Sequence, residues 1–425
     1  MKKKIYNLFL FLLHFLIYFS CYFKSPKFCA YLIKFSLIPF QKAKNRLKNK
    51  KTIIVLDRVI GGRRDIEIMQ KSSQNNFEIL FMRRSITKII FTYFCYKKKI
   101  FFNYEKPGPT KKDFLNQKYK NRKKHEQFWT DVIFNLKNYF NEKELNFISF
   151  AYYYFIENGL YAGCKNNKIP LKLWNKECFM SDEDVKYRVK IKEYKYVFKY
   201  FYKISVYNNF MRKMLVGMDK SNEKKITVNG CPRTLDFIDK KKKYRKVKNL
   251  LFLSFNPRQG FPENRENKNL NWNLSYNKVI KILNDLSNNK NINITIKRKK
   301  FNTYKTSLEI DKRIKIFEGG TAEKFINKAD IVIGHNSGST IESLINGKYV
   351  MIPFFENKPK LKKYLFKFNK NIIYTSEEKM KKDILNLMNK RVLFPLKNKN
   401  NEKTVKYYFG KSKNIIENYV NFLNS

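Results

Sequence analysis

A short polar turn, Asn336 to Thr340, carries the residue types that bind a phosphate group. It reads Asn-Ser-Gly-Ser-Thr, follows an apolar run that ends at Gly334, and precedes a predicted helix. A helix N-terminus presents unpaired N–H groups and partial positive charge, and Gly338 would let a diphosphate approach the backbone. Glu342, one turn into the helix, would then be in reach of a ribose. The turn alone fits equally well an ordinary helix start at which serine and threonine act only as caps.

Histidines and cysteines offer little material for a metal site. The three histidines are His14, His125 and His335, and of these His335 lies beside the polar turn. The six cysteines are scattered, with no CxxC pair or other spacing typical of metal ligands, which indicates reduced thiols in a cytosolic compartment. We therefore predict no metal ion and no resident cofactor.

The charge balance of the chain is extreme. Its 425 residues include 90 Lys plus Arg and 35 Asp plus Glu, a net charge of +55 that is typical of proteins that bind nucleic acid, anionic lipid or phosphorylated ligands. The abundant Lys, Asn, Ile, Phe and Tyr are also what an AT-rich genome encodes, so codon bias explains part of this charge. A length of 425 residues and a hydrophobic content of 43% predict a folded chain of two or three domains rather than a disordered one.

The second half of the chain alternates regularly between apolar strands and amphipathic helices. This alternation predicts a Rossmann-like domain over residues 236–392, in which the polar turn follows a buried parallel strand. The predicted strands are 250–255, 292–298, 314–318, 331–334, 349–354 and 371–374, and the predicted helices are 274–286, 322–328, 340–345 and 377–389. Residues 393–425 are predicted to be a polar stretch followed by a C-terminal helix over 412–423.

The first half shows the same alternation less clearly. Strands are predicted over 52–56, 77–82, 146–150 and 169–174, with helices over 128–140 and 159–166. Together they indicate an N-terminal Rossmann-like domain over 46–235. A short strand that begins at Ile226 and ends in a Gly-Cys-Pro turn is predicted to lead into the hinge. The predicted fold class is thus α/β, with two Rossmann-like domains facing across a cleft.

An apolar segment precedes these domains. Three lysines stand before the uncharged stretch 5–23, which is close to the roughly 20 residues that cross a bilayer. A second apolar patch, 28–40, is followed by a basic run, 42–51, and this distribution of charge favours a cytoplasmic location for the body of the protein. We predict an apolar helical anchor over 1–45. A single spanning helix, an interfacial helix pair and a buried hairpin of the first domain all fit the sequence.

Four segments in order resemble the GT-B enzymes that build bacterial surface polysaccharides. They are VNGCPRTLDF at 228–237, LFLSFNPR at 251–258, ITIKRK at 294–299, and ADIVIGHNSGSTIESLINGKYVMIPFF at 329–355. Their order is similar to that in surface-polysaccharide transferases, CDP-glycerol glycerophosphotransferases and relatives of the UDP-N-acetylglucosamine 2-epimerases. The resemblance covers roughly residues 50 to 390.

The resemblance implies a binding site for a nucleotide-sugar, which would be the donor substrate. The diphosphate would lie against the polar turn and Glu342 would bind the ribose, while Arg258 and Lys297 would supply positive charge. Such charges stabilise a departing nucleoside diphosphate without a metal ion. The predicted donor-site residues are Arg258, Lys297, His335, Asn336, Ser337, Gly338, Ser339, Thr340 and Glu342.

The acceptor side needs a group that takes a proton from the acceptor hydroxyl. Asp65, in the glycine-containing loop after the first strand, and Glu177, in the segment WNKECF, are the predicted catalytic residues. An ion pair of either carboxylate with Lys176 or Arg63 explains them equally well. Sequence alone does not separate a catalytic from a structural role.

We predict a glycosyltransferase that moves a sugar from a nucleotide-activated donor to a lipid-linked or saccharide acceptor in surface polysaccharide or lipopolysaccharide synthesis. It would act at the cytoplasmic face of the bacterial inner membrane, with the anionic membrane surface as a partner. A glycerophosphotransferase or a sugar-nucleotide epimerase of the same fold is an alternative, although the histidine-containing motifs of those enzymes are not matched. A basic protein that binds nucleic acid or membrane is the alternative of another class, but no RNP, helix-turn-helix or zinc pattern supports nucleic-acid binding.

Overall fold

Two α/β domains, each built on a parallel sheet, make up the body of the chain in a computed structural model. The structure describes residues 2–39, 51–57, 60–72, 77–96, 121–140, 144–176, 179–192, 194–235, 242–258, 260–261, 269–298, 308–396, 399–410 and 414–425. The predicted fold class, two Rossmann-like domains that face each other across a cleft, is confirmed.

The first domain contains a seven-stranded sheet. In chain order its strands are β1 (Ile38–Pro39), β2 (Lys51–Asp57), β3 (Phe77–Arg83), β4 (Leu145–Ser149), β5 (Leu171–Asn175), β6 (Lys203–Val206) and β7 (Ile226–Val228). Their spatial order is β1-β3-β2-β4-β5-β6-β7, and every pair is parallel except β1 with β3. The helices of this part of the chain are Ile60–Ser72, Arg84–Tyr96, Arg122–Tyr139, Asn158–Asn166, Asp182–Ile191 and Asn209–Met218. The fully buried runs of β4 and β5 fit a sheet covered by helices on both faces.

The second domain contains a parallel six-stranded sheet. Its strands are β9 (Asn249–Leu253), β10 (Asn293–Arg298), β11 (Lys315–Glu318), β12 (Ile331–Ile333), β13 (Tyr349–Pro353) and β14 (Ile373–Tyr374). The spatial order β11-β10-β9-β12-β13-β14 is the Rossmann order 3-2-1-4-5-6. The helices are Asn273–Ser287, Glu323–Lys328, Gly338–Ile345, Pro359–Lys362 and Glu377–Leu387. Every element predicted between residues 250 and 389 is present.

The C-terminal residues return from the second domain to the first. Strand β15 (Arg391–Phe394) pairs with β8 (Lys243–Lys246), and the helices Lys399–Phe409 and Ile415–Asn424 follow. The Tyr419 ring stacks on Trp174 of β5 with ring centroids 4.0 Å apart, and its hydroxyl donates to the Gly230 carbonyl over 3.0 Å. The tail therefore packs against the first sheet.

The apolar N-terminal segment forms two helices, Lys2–Tyr22 and Pro26–Ser36. The first is the one helix in the described part of the chain that is long and apolar enough to cross a membrane, and 22% of its apolar window Ile5–Tyr22 is buried. Leu13, Ile17 and Cys21 are buried against the first domain. The segment is thus a helical hairpin with one side packed on protein.

Several elements differ from the sequence-based expectations. β6 was not predicted, because its four residues are too few to show a clear period. The helices Arg84–Tyr96, Asp182–Ile191 and Asn209–Met218 of the first domain were not predicted either. The polar stretch after residue 393 contains the helix Lys399–Phe409, whose ring contacts with the first domain stabilise it where its composition does not.

Candidate active site

A cleft of about 580 Å³ lies between the two domains. In the second domain it is lined by residues at the carboxyl ends of β9, β10 and β12, among them Ser254, Lys297 and Ser337. β9 and β12 are neighbours at the point where the strand order reverses, which is where open α/β sheets bind their ligands. Residues of the first domain, including Arg64 and Tyr153, close the opposite side.

The polar turn lies in this cleft. Ser337 has extended backbone angles and caps the helix Gly338–Ile345, accepting a hydrogen bond from the Thr340 N–H over 3.2 Å. Its hydroxyl also lies 2.9 Å from the Thr340 hydroxyl. Ser337, Gly338 and Ser339 line the cleft, so the first turn of the helix faces open space. The turn both caps its helix and presents its N-terminus to the cleft, so the two interpretations left open by the sequence are compatible.

Gly338 has a packing reason to be glycine. A Cβ at this position would lie 3.0 Å from the Phe179 ring, which belongs to the first domain. The absence of a side chain therefore allows the two domains to approach at the edge of the cleft. Close approach by an anion, the reason expected from the sequence, remains a prediction.

His335 and Thr340 lie in the core of the second domain. The His335 ring is fully buried, stacked at 4.6 Å on Phe255 and at the same distance from Trp272. Burial lowers its pKa to about 3, so the imidazole is neutral. Thr340 is also fully buried. Neither side chain lines the cleft, and their contact with a donor stays a prediction.

Asn336 and Lys297 line the cleft, whereas Arg258 does not. The Asn336 side chain donates to the Tyr364 carbonyl over 2.8 Å and accepts from the Phe366 N–H over 2.9 Å, which fixes one wall of the cleft. Lys297 is nearly buried and its ammonium donates to the Arg298 carbonyl over 2.8 Å. Desolvation and the nearby Lys324 lower its pKa, against a smaller opposing effect of Glu318.

Glu342 takes part in an ion network that joins the domains. Its Oε1 lies 2.5 Å from Arg233 Nη1, and its Oε2 lies 3.9 Å from Arg64 Nη1. Arg233 Nε in turn lies 2.9 Å from Oδ1 of Asp65, and the Tyr207 hydroxyl donates to the other Asp65 oxygen. Arg233 thus bridges a carboxylate of the first domain and one of the second.

Burial and the arginines of the network act in opposite directions on the pKa of its two carboxyl groups. Burial raises the pKa of Asp65, and Arg233 opposes this effect by favouring the charged form. Burial likewise raises the pKa of Glu342, and Arg233 and Arg64 oppose it. The attraction of Asp65 raises the pKa of Arg233, which keeps the guanidinium charged despite its burial.

The two predicted catalytic residues have different outcomes. Asp65 is fully buried, is held by Arg233 and Tyr207, and does not line the cleft. Its role as the base that meets the acceptor stays a prediction, and in this arrangement its carboxylate is engaged in the ion network. Glu177 lies outside the described residues, although its neighbour Lys176 lines the cleft.

Sequence reasoning missed Arg233 as a site residue although it stands in the segment VNGCPRTLDF. Among the described residues, the cleft has six basic side chains against the three carboxylates of Asp184, Glu323 and Glu342. The basic ones are Arg64, Lys176, Arg188, Arg233, Lys297 and Arg298. This excess fits an anionic ligand. Within the residues that the structure describes, no group of three or more His, Cys, Asp or Glu side chains is placed to hold a metal ion.

Comparison with known proteins gives structural similarity without a family. No family model matches the chain, and a search of curated proteins finds no match. The solved structure of a wall teichoic acid polymerase, TagF, is 10% identical with a TM-score of 0.47, over 94% of this chain and 92% of that one. A UDP-GlcNAc 2-epimerase from Methanocaldococcus jannaschii, in complex with UDP-GlcNAc and UDP, is 15% identical with a TM-score of 0.41, over 88% and 99%.

A UDP-forming trehalose-phosphate synthase from Burkholderia xenovorans is 8% identical with a TM-score of 0.43, over 88% of this chain and 97% of that one. Similarities at this level do not establish that the chain shares an activity or a substrate with any of these proteins.

Proposed function

We propose that the protein is a glycosyltransferase that uses a nucleotide-sugar donor and a membrane-linked acceptor. The observation that carries the proposal is the cleft at the strand-order reversal of the second sheet, where the first turn of the helix Gly338–Ile345 meets an excess of basic side chains. This arrangement fits a diphosphate bound between two domains.

The donor would be held by three kinds of contact. Its diphosphate would accept hydrogen bonds from the first turn of the helix at Gly338 and Ser339, and from the cations Lys297 and Arg298 at the end of β10. The base and ribose would extend toward Glu342, one turn further along the helix. Since Glu342 already pairs with Arg233, a ribose hydroxyl would have to share that carboxylate or displace the arginine.

The transfer forms a bond between the acceptor oxygen and the anomeric carbon and breaks the bond between that carbon and the diphosphate oxygen. The nucleoside diphosphate leaves with the bonding electrons, and Lys297 and Arg298 would stabilise its added charge. The acceptor proton passes to a base, for which Glu177 remains the candidate. Metal-independence remains part of the proposal.

We also propose that the protein acts at the cytoplasmic face of a bacterial inner membrane, in the synthesis of a surface polysaccharide or lipopolysaccharide. The support is the net charge of +55 together with the exposed apolar face of the N-terminal hairpin. Transfer of glycerol phosphate from CDP-glycerol would use the same diphosphate site. Binding of CDP-glycerol in preference to nucleotide-sugars would distinguish this function from sugar transfer.

The test is a titration of the full chain with UDP-, CDP-, GDP- and CMP-linked ligands, read by thermal shift and calorimetry. We expect one nucleotide family to bind, and Lys297→Met to weaken it about tenfold by loss of one charge-assisted contact. Lys290→Met, an exposed lysine in the loop before β10, is the matched control and should bind as the wild type does. A folded protein that binds none of these ligands would refute the proposal.

A further inference from the structure

The N-terminal hairpin, defined here as residues Lys2–Ser36, has an inner side that is bound to the first domain along the length of its longer helix. Tyr6 accepts a hydrogen bond from Arg83 over 2.5 Å, and His14 Nε2 lies 2.8 Å from the Ser85 hydroxyl. One turn further on, the Tyr18 ring contacts that of Tyr93 at 5.4 Å. These contacts extend over more than three turns, so the helix lies flat on the domain.

The outer side of the hairpin is an apolar patch. Exposed rings of the two helices meet, since the centroids of Phe9 and Phe35 are 6.4 Å apart. The patch is therefore continuous across the hairpin. It consists of Ile5, Leu8, Phe9, Leu12, Phe15, Leu16, Phe19, Phe23, Phe28, Tyr31 and Phe35, each at least 36% exposed.

The two sides together exclude a spanning helix that keeps this packing. A helix that crosses the bilayer has hydrocarbon or other membrane segments around it, and every polar group at that depth needs a partner there. Here the partners of the inner side belong to the first α/β domain. The Arg83 guanidinium of that domain lies 5.2 Å from the Tyr6 ring, and the Ser85 hydroxyl contacts His14. Spanning would break these contacts, whereas an orientation parallel to the membrane keeps them all.

We infer that the N-terminal hairpin docks the protein on an anionic lipid surface, with both helices in the plane of one leaflet and the apolar patch inserted. The exposed lysines Lys24 and Lys27 border the patch beside the turn between the helices. Cations in this position attract anionic headgroups. A second copy of this chain fits less well, because two strongly positive surfaces would then face each other.

The docked orientation places the cleft beside the membrane. Arg83 ends β3 at the carboxyl edge of the first sheet, where the cleft lies, and the next residue, Arg84, stands 5.0 Å from the Tyr154 ring. The Tyr154 ring in turn contacts that of Tyr153, which lines the cleft. A row of basic and aromatic side chains thus leads from Tyr6 on the hairpin to the cleft, along which a lipid-linked acceptor can approach. Only this last point rests on the proposed transferase function.

The first test is flotation of the full chain with phosphatidylglycerol vesicles and with phosphatidylcholine vesicles, without nucleotide. We expect strong binding to the former, and a fall of about 100-fold in the partition coefficient for the triple variant Leu8→Ser, Leu12→Ser, Phe35→Ser. The matched control carries Leu274→Ser, Leu385→Ser and Phe134→Ser, which replace the same residue types at exposed positions outside the patch, and should bind as the wild type does. Equal loss of binding in both variants would overturn the inference.

The second test separates docking from spanning. Epitope tags at both termini are exposed to protease on the cytoplasmic side of inside-out membrane vesicles. We expect both tags to be cleaved, because a hairpin in one leaflet leaves both termini on that side; protection of the N-terminal tag would refute the in-plane orientation. A wild-type protein that does not float, and whose dimer dissociates in the triple variant, would identify a second copy as the occupant. Both results are independent of nucleotide binding.

Discussion

Replacement of Arg233 by methionine removes the cation that joins the two domains. The side chain is 10% exposed and lies between Asp65 of the first domain, at 2.9 Å, and Glu342 of the second, at 2.5 Å. Methionine keeps much of the length and none of the charge. Two buried carboxylates then lose their nearest opposite charge, although Asp65 retains Tyr207 and Glu342 retains Arg64 at 3.9 Å.

The expected loss of unfolding free energy is about 3–5 kcal/mol near neutral pH, the usual cost of breaking a buried ion pair on one side. The loss depends on pH in a definite direction. Burial raises the pKa of both carboxyls above their ordinary values of 3.8 and 4.5 even beside Arg233, and its removal raises each further. A carboxyl whose pKa is raised in the folded state stabilises the fold fully at a pH below its pKa in the unfolded state. This stabilisation is lost as the pH rises through its pKa in the folded state.

The unfolding free energy of Arg233→Met should therefore be close to that of the wild type at about pH 4 and should fall furthest below it at about pH 8. The difference should grow by about 1.4 kcal/mol for each unit by which a carboxyl pKa rises. Urea unfolding across this range measures the difference. Arg245→Met is the control: Arg245 pairs with buried Asp330 at 2.8 Å, but three N–H donors of Lys248 and Asn249 remain on that carboxylate. It should lose about 1 kcal/mol. An Arg233→Met loss below about 0.5 kcal/mol at pH 8, or one independent of pH, would refute the reasoning.

Three further results are expected. Gly338→Ala should weaken nucleotide binding and stability together, because its Cβ meets the Phe179 ring at 3.0 Å, and the second change Phe179→Leu should restore both in thermal shift. His335→Phe should flatten the decline of stability between about pH 6.5 and pH 3 in urea titrations, since the neutral buried imidazole with a pKa of about 3 must be protonated on unfolding; an unchanged slope would contradict this. Tyr419→Ala should cost about 3–5 kcal/mol and change the fluorescence of Trp174, on which the ring stacks at 4.0 Å, and an unaltered emission spectrum would contradict the tail packing.

The second domain could be predicted from local pattern. Apolar runs such as Ile331–Ile333, followed by a capping serine and an amphipathic helix, specify strand, turn and helix without distant contacts. The Rossmann-like alternation and the position of the polar turn at a strand end followed from these segments alone. Short elements such as β6 escaped, because four residues in a sheet are stabilised by their neighbours and not by their own pattern.

The site itself was predictable in part. The turn 336–339 and the cation Lys297 are in the cleft, because residues at the carboxyl ends of parallel strands meet at one edge of a sheet. His335 and Thr340 stand next to the same turn but point into the core, since successive residues in an irregular loop face different directions. Adjacency in sequence therefore identified the turn and not the orientation of each side chain.

By itself, the sequence determined where the main helices and strands of the second domain form, since these depend on the spacing of neighbouring residues. It also showed the N-terminal segment to be apolar, without deciding between a span, an interfacial pair and a buried hairpin. Only the tertiary structure decided that one side of this segment packs on the first domain and that Arg233 joins Asp65 and Glu342. Asp65 and Glu342 stand far from Arg233 in the chain, so their contact depends on how the two sheets are brought together, and no local spacing records that arrangement.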